Sequence, residues 1–193
     1  MSGSMKYQPG GTCEWESYPH DIFKAAEAGD VAWIRSLLAA DPTCKDLTNN
    51  FGGTPMTFAL QKRHQEAVAA FLEAGEDPNH IIRGREGTSS FTTYLHKAVT
   101  AIALAISPEE KESARAIFKN LLDHPKINLD QPDSEGNTPY ISASIFLLGA
   151  VMEMLRSKGA DTSIKNKAGE NAEQAMINYR KKMDEALRGG RTI

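Results

Sequence analysis

The sequence predicts an all-α solenoid, a line of helix-turn-helix units joined by β-turn or hairpin-like loops, with an enlarged and irregular third unit. Three observations predict it. A pattern recurs as Asn49…Gly52-x-Thr54-Pro55, as Asp133…Gly136-x-Thr138-Pro139, and as a worn copy, Asn166…Gly169-x-Asn171-Ala172. The last two copies start 33 residues apart, the signature of one small unit stacked on itself. Apolar residues at i, i+3 and i+4 form the stripes Ile34/Leu37/Leu38, Val68/Phe71/Leu72, Phe118/Leu121/Leu122 and Val151/Met154/Leu155, each the buried face of an amphipathic helix. Gly75 and Gly159 follow two of these stripes, where a helix end favours a left-handed residue without a Cβ.

Each element can be justified in order. Residues 1–18 carry Gly and Pro and read as a flexible segment, with Trp15 and Tyr18 available to fold back over the first unit. A single domain is expected over 19–187, its units at about 20–48, 49–80, 88–128 and 133–165, a C-terminal cap at 166–187 and a tail at 188–193. Upstream of each stripe is a shorter, alanine-rich helical segment: Ile22 to Ala28, Met56 to Lys62, Leu95 to Ala105 and Tyr140 to Phe146. Small side chains there let neighbouring helices approach closely. Breaks at Gly29-Asp30 and Arg63-His64 separate the short helix from the long one. Thr54-Pro55 and Thr138-Pro139 start short helices, because Pro in a first turn lacks only an N–H that would have gone unbonded. Gly52 and Gly136, two residues earlier, suit the tight turn. Trp33 and Phe71 are expected in the core.

The third unit departs from the others. The last members of the stripes are spaced 34, 50 and 33 residues apart. Ile81 to Ser90 has loop composition with glycine punctuation. Ser107-Pro108-Glu109-Glu110 is a strong helix start, with a Ser cap, Pro at the first position and acids in the first turn, so a lengthened helix is expected from Pro108 to Asp123. At the C-terminus, Asn171 to Leu187 reads as helical and ends in a basic, solvated run.

Composition limits the partners. With 40% apolar and 24% charged residues the 193-residue chain lies in the ordinary globular range. A net charge of −3 argues against nucleic acid, whose non-specific affinity comes from clustered Lys and Arg. The longest apolar stretch, around Ile141 to Leu155, is too short and mixed to span a bilayer, and the opening residues lack the apolar core of a secretory signal. Cys13 and Cys44 fit neither a disulfide framework nor a Cys-x-x-Cys site. Free thiols point to a reducing, cytoplasmic setting, with export by another route left open.

The quoted residues resemble the ankyrin repeat. The family pattern, Asp-x-x-Gly-x-Thr-Pro-Leu-His-x-Ala, then a Gly-His break, then Gly-Ala-Asp, is met best over Asp133 to Asp161, at Gly136, Thr138, Pro139, Ala143, Leu155, Gly159, Ala160 and Asp161. The resemblance runs from about Asp21 to Tyr179. The third copy keeps Leu95-His96-x-Ala98 but has Tyr94 where the family has Pro. The resemblance implies protein binding and a structural role for His96, bonding neighbouring turns; the chain is expected to be monomeric on its own.

No catalytic, metal or cofactor site is expected. Five histidines are present, but no pair has His-x-x-x-His spacing. His64 falls in the break, His124 near a helix end, and His20 and His80 in loops. No Gly-x-Ser-x-Gly elbow and no phosphate-binding glycine loop occurs. Candidate partner contacts lie on turn tips and short helices instead: Phe51, Phe58, Lys62, Arg83, Arg85, Phe91, Ile145 and Phe146. Phe51 would stand exposed at a turn unless covered, and aromatic and Arg side chains dominate binding energy once buried. Ile145 and Phe146 equally suit packing between units. The expected function is a non-catalytic protein-binding module; the alternative is an effector, inhibitor or immunity-type protein that blocks a target enzyme with the inserted loop of the third unit.

Overall fold

A computed structural model describes residues 20–49, 52–84 and 89–189. The chain is mostly helical. Its helices come in pairs: α1 (His20–Ala28) with α2 (Val31–Ala40), α3 (Pro55–Gln61) with α4 (Gln65–Glu73), α5 (Tyr94–Leu104) with α6 (Pro108–Leu122), and α7 (Pro139–Ile145) with α8 (Gly149–Ser157). A long final helix, α9 (Ala172–Gly189), packs on α7. The first members stack in order, α1 on α3, α3 on α5 and α5 on α7, while α2 packs on α4 and α4 on α6. Residues 1–18, Cys13, Trp15, Tyr18, Phe51 and Arg85 lie outside the described residues.

Side-chain size explains the inner row. Ala25, Ala59, Ala98 and Ala143 are each wholly buried, one on every short helix, so backbones approach where a larger residue would hold them apart. The second row supplies bulk through Ile34, Phe71, Ile117, Phe118 and Leu155. Leu155 occupies the place of Phe71 rather than Leu72: the amides of Glu76 and Ala160 close the two helix ends on the carbonyls of Phe71 (3.0 Å) and Leu155 (3.1 Å). The stripes read from sequence are therefore one residue out of step between these units. Trp33, expected in the core, is 37% exposed, because α2 turns Ile34 and Leu38 inward instead.

Helix starts follow their caps. Thr54 and Thr138 are N-caps with Pro at the next position, and Ser107 with Glu110 forms a reciprocal capping box ahead of α6. The third pair is longer than its neighbours, with eleven residues in α5 and fifteen in α6. Ile81 to Arg83, read as part of a loop, form β1 (Ile81–Arg83), which pairs antiparallel with β2 (Phe91–Thr93), Ile82 opposite Thr92. β-branched residues on both sides of the glycines suit an extended ribbon, and Ile82 turns inward to the core. A 3-10 helix at Pro42–Asp46, not foreseen from sequence, buries Cys44, whose thiol pKa burial pushes up. His20, read as a loop residue, opens α1. No helix among the described residues is long and apolar enough to cross a membrane.

Candidate functional site: the row of turn tips

The turns that connect the pairs are tied to one another by main-chain hydrogen bonds. Ser134 N–H donates to the Phe91 carbonyl (3.0 Å), and Lys167 N–H donates to the Glu135 carbonyl (3.0 Å). The hairpin, the 133–136 turn and the 166–169 turn thus form one continuous edge. Within each later turn an Asx cradle fixes the loop: Asp133 Oδ1 accepts from the amides of Glu135 and Asn137, and Asn166 Oδ1 from those of Ala168 and Glu170. Gly136 is left-handed at φ +78°, and a Cβ there would lie 2.7 Å from the Lys167 amide nitrogen. Only glycine lets the two turns lie so close.

Histidines stitch this edge to the helices. His96 is buried, and its Nε2–H donates to the Asn137 carbonyl at 2.8 Å. A carbonyl can only accept, so Nε2 carries the proton and Nδ1 accepts from the Thr93 hydroxyl at 2.8 Å. Burial holds the His96 pKa below the ordinary value, with the Asn137 bond and Asp133 opposing. The His80 ring stacks on Tyr94, and its Nε2–H donates to the Gly52 carbonyl (3.0 Å). His64 Nε2–H donates to the Glu27 carbonyl (3.0 Å), bracing the preceding pair. His124 Nδ1 accepts from the Lys126 amide (3.3 Å), a local turn. Asn79 bridges the Lys126 carbonyl and the Asn128 amide, each at 2.7 Å.

The residues named as partner contacts divide between surface and packing. Arg83 is exposed at the end of β1, and Phe91 is half-buried at the start of β2. Lys62 is exposed and pairs with Glu27 (3.1 Å). Phe58 is half-buried and meets Phe23 edge to face, with ring centroids 5.4 Å apart. Ile145 packs with Ile141, Ala172 and Ala175 against α9, and Phe146 packs on the main core. Arg83 and Phe91 therefore share one hairpin, while Ile145 and Phe146 sit between helices. Gly52 and Gly159 are left-handed, at φ +65° and +96°. Sequence reasoning missed the exposed Glu135 and Lys167, which share the tip edge; the repeated turn signal could have pointed to them.

Away from the tips, an open groove of about 480 Å³ at the C-terminal end is lined by Tyr140, Leu147, Met152, Ala172 and Met176, among others. Among the described residues no cluster of three or more His, Cys, Asp or Glu could hold a metal ion.

No protein-family model matches the chain. Over 123 residues, 64% of its length, it is 30% identical to Inversin from Gallus gallus, an ankyrin-repeat protein. The matched region is 10% of Inversin, so the chain corresponds to about a tenth of that relative. This similarity is in keeping with ankyrin repeats.

Proposed function

We propose that the chain is a non-catalytic protein-binding module, an ankyrin-type solenoid with an enlarged third repeat that grips a partner protein along its turn tips and the adjoining short helices. The observation that carries this reading is the continuous tip edge, in which main-chain bonds occupy the scaffold and leave Arg83, Glu135 and Lys167 facing solvent. A surface of this kind can vary its side chains without disturbing the core. The non-catalytic part is supported by His96, a buried imidazole with both nitrogens engaged, and by the buried Cys44 thiol, which burial keeps protonated. The partner is a protein rather than nucleic acid or a membrane, bound by a chain that is monomeric on its own.

The hairpin favours a second reading, in which β1 and β2 carry the inserted loop into a target enzyme and block it. One experiment separates the two. Photo-crosslinking residues placed at Arg83, Glu135 and Lys167 on one side, and at Arg35 and Arg156 on the outer helices, are used to trap the partner. Cross-links from all three tip positions support the module; cross-links from Arg83 alone, with loss of the captured enzyme's turnover, support the blocker; cross-links only from the outer helices overturn both.

A further inference from the structure

Two departures from the repeated pattern touch each other. Where Thr-Pro stands in the second and fourth units the third has Thr93-Tyr94, and where Gly159-Ala160 ends the fourth unit the second ends in Gly75-Glu76. Tyr94 is wholly buried, and its hydroxyl donates to Glu76 Oε1 at 2.6 Å. The Thr54 hydroxyl donates in turn to the Tyr94 oxygen. Glu76 is only 3% exposed, and its second oxygen, Oε2, makes no hydrogen bond with a described residue. A carboxylate in such a place, answered at one oxygen by the Tyr94 hydroxyl, is disfavoured more strongly than the neutral acid.

We propose that the Thr54–Tyr94–Glu76 cluster is a proton-operated latch between the second and third helical pairs, closed when Glu76 is protonated and loosened when it ionises. The charged and titratable groups around it are consistent with this. Burial raises the Glu76 pKa above its ordinary value, and the charge of Asp46, an exposed residue of the 3-10 helix paired with Lys45, adds least to the rise; Tyr94, Thr54 and His80 act the other way without reversing it. Tyr94 stays a neutral donor, since burial and the Glu76 charge both push its own pKa up. A folded-state pKa above the unfolded one means that the latch contributes fully below the ordinary glutamate range. The contribution falls as pH rises through the folded-state value. Loosening would reach the Gly52 turn, because His80 links the Tyr94 ring to it, and that turn lies close to Arg83 of the hairpin.

The test compares the intact chain with Glu76→Gln, a neutral amide of the same shape, by amide hydrogen exchange from below the glutamate range to neutral pH. After correction for intrinsic base catalysis, exchange at Leu95 to Val99 relative to Ser142 to Leu148 should rise with pH in the intact chain by clearly more than about twofold. In Glu76→Gln it should stay within about twofold. Subtracting the two profiles cancels the opposite trend from His96. Parallel profiles would overturn the latch. Should Glu76→Gln fail to fold, carboxyl-carbon NMR of the intact chain decides: a Glu76 midpoint above the ordinary range supports the latch, and one within or below it overturns it.

Discussion

The junction between α3 and α5 and the junction between α5 and α7 use the same starting threonine and different chemistry behind it. At α5–α7 the helix α7 starts with Thr138-Pro139, and the link is His96 bonded to a main-chain carbonyl, with both partners neutral. At α3–α5 the helix α5 starts with Thr93-Tyr94, and the link is a phenol bonded to a buried carboxyl. Proline needs nothing from its surroundings at a first helical position. Tyrosine there brings a hydroxyl into the interior, and a buried hydroxyl needs a partner. The repeated scaffold therefore tolerates an exception at one position provided that a second exception, Glu76 in place of alanine, answers it.

The apolar part of the stack, common to both junctions, should show the largest effect when broken. Leu155 is wholly buried on α8 and stands where Phe71 stands on α4. Leu155→Ala should lower unfolding stability by about 2–5 kcal/mol through lost transfer energy and a residual cavity. Urea unfolding measures it. A loss below about 0.5 kcal/mol, the size of an ordinary surface change, would mean that α8 does not anchor the fourth pair.

A smaller effect separates the two junctions. Tyr94→Phe keeps the ring and its stacking with His80 but leaves Glu76 Oε1 and the Thr54 hydroxyl without the phenol between them. Unpaired buried groups of this kind cost about 1–3 kcal/mol. The same denaturation experiment checks it. An unchanged unfolding midpoint would make the polar junction no different in substance from the proline one.

The same division separates the legible parts of the sequence from the rest. The helical class could be read because local rules carry it: the 3.6-residue apolar period, Ser107-Pro108 at the head of α6 and Thr138-Pro139 at the head of α7 depend on residues a few positions apart. Hairpin-like loops between units are expected from the sequence, but the strands and register of this hairpin are not legible, since each strand is only three residues long and the pairing joins Ile81 to Thr93 across a glycine-bearing segment. The exposure of Trp33 is not legible, because a stripe of apolar residues leaves the edge of the buried face undefined by a residue or two. At the candidate site, Arg83 and Phe91 were visible as a loop cluster. The tip edge that gives them neighbours depends on main-chain bonds between residues 32 to 43 positions apart, such as Ser134 to Phe91, and no local pattern encodes those. Tyr94 and Glu76 were each readable as departures; that they meet is a tertiary fact.

The breaks between short and long helices extend the comparison to a position where the exception goes unanswered. Gly29, Arg63 and Leu147 occupy equivalent breaks, and all three are left-handed, at φ +71°, +61° and +58°. Glycine adopts that conformation freely, whereas a residue with a Cβ is disfavoured by roughly 1–2 kcal/mol. Arg63 recovers something through its contact with Glu110 at 3.3 Å. Leu147 is 52% exposed, so its side chain recovers little by burial. Leu147→Gly should therefore stabilise the chain, by about 0.5–1 kcal/mol once the greater freedom of glycine in the unfolded state is set against the relieved strain. Arg63→Gly should gain less, because it also removes the ion pair. Thermal unfolding of the two variants side by side measures the difference. If Leu147→Gly instead lowers the melting temperature, the leucine contributes to the groove that it lines beside Tyr140 and Met176, and the strain at residue 147 is retained for packing there.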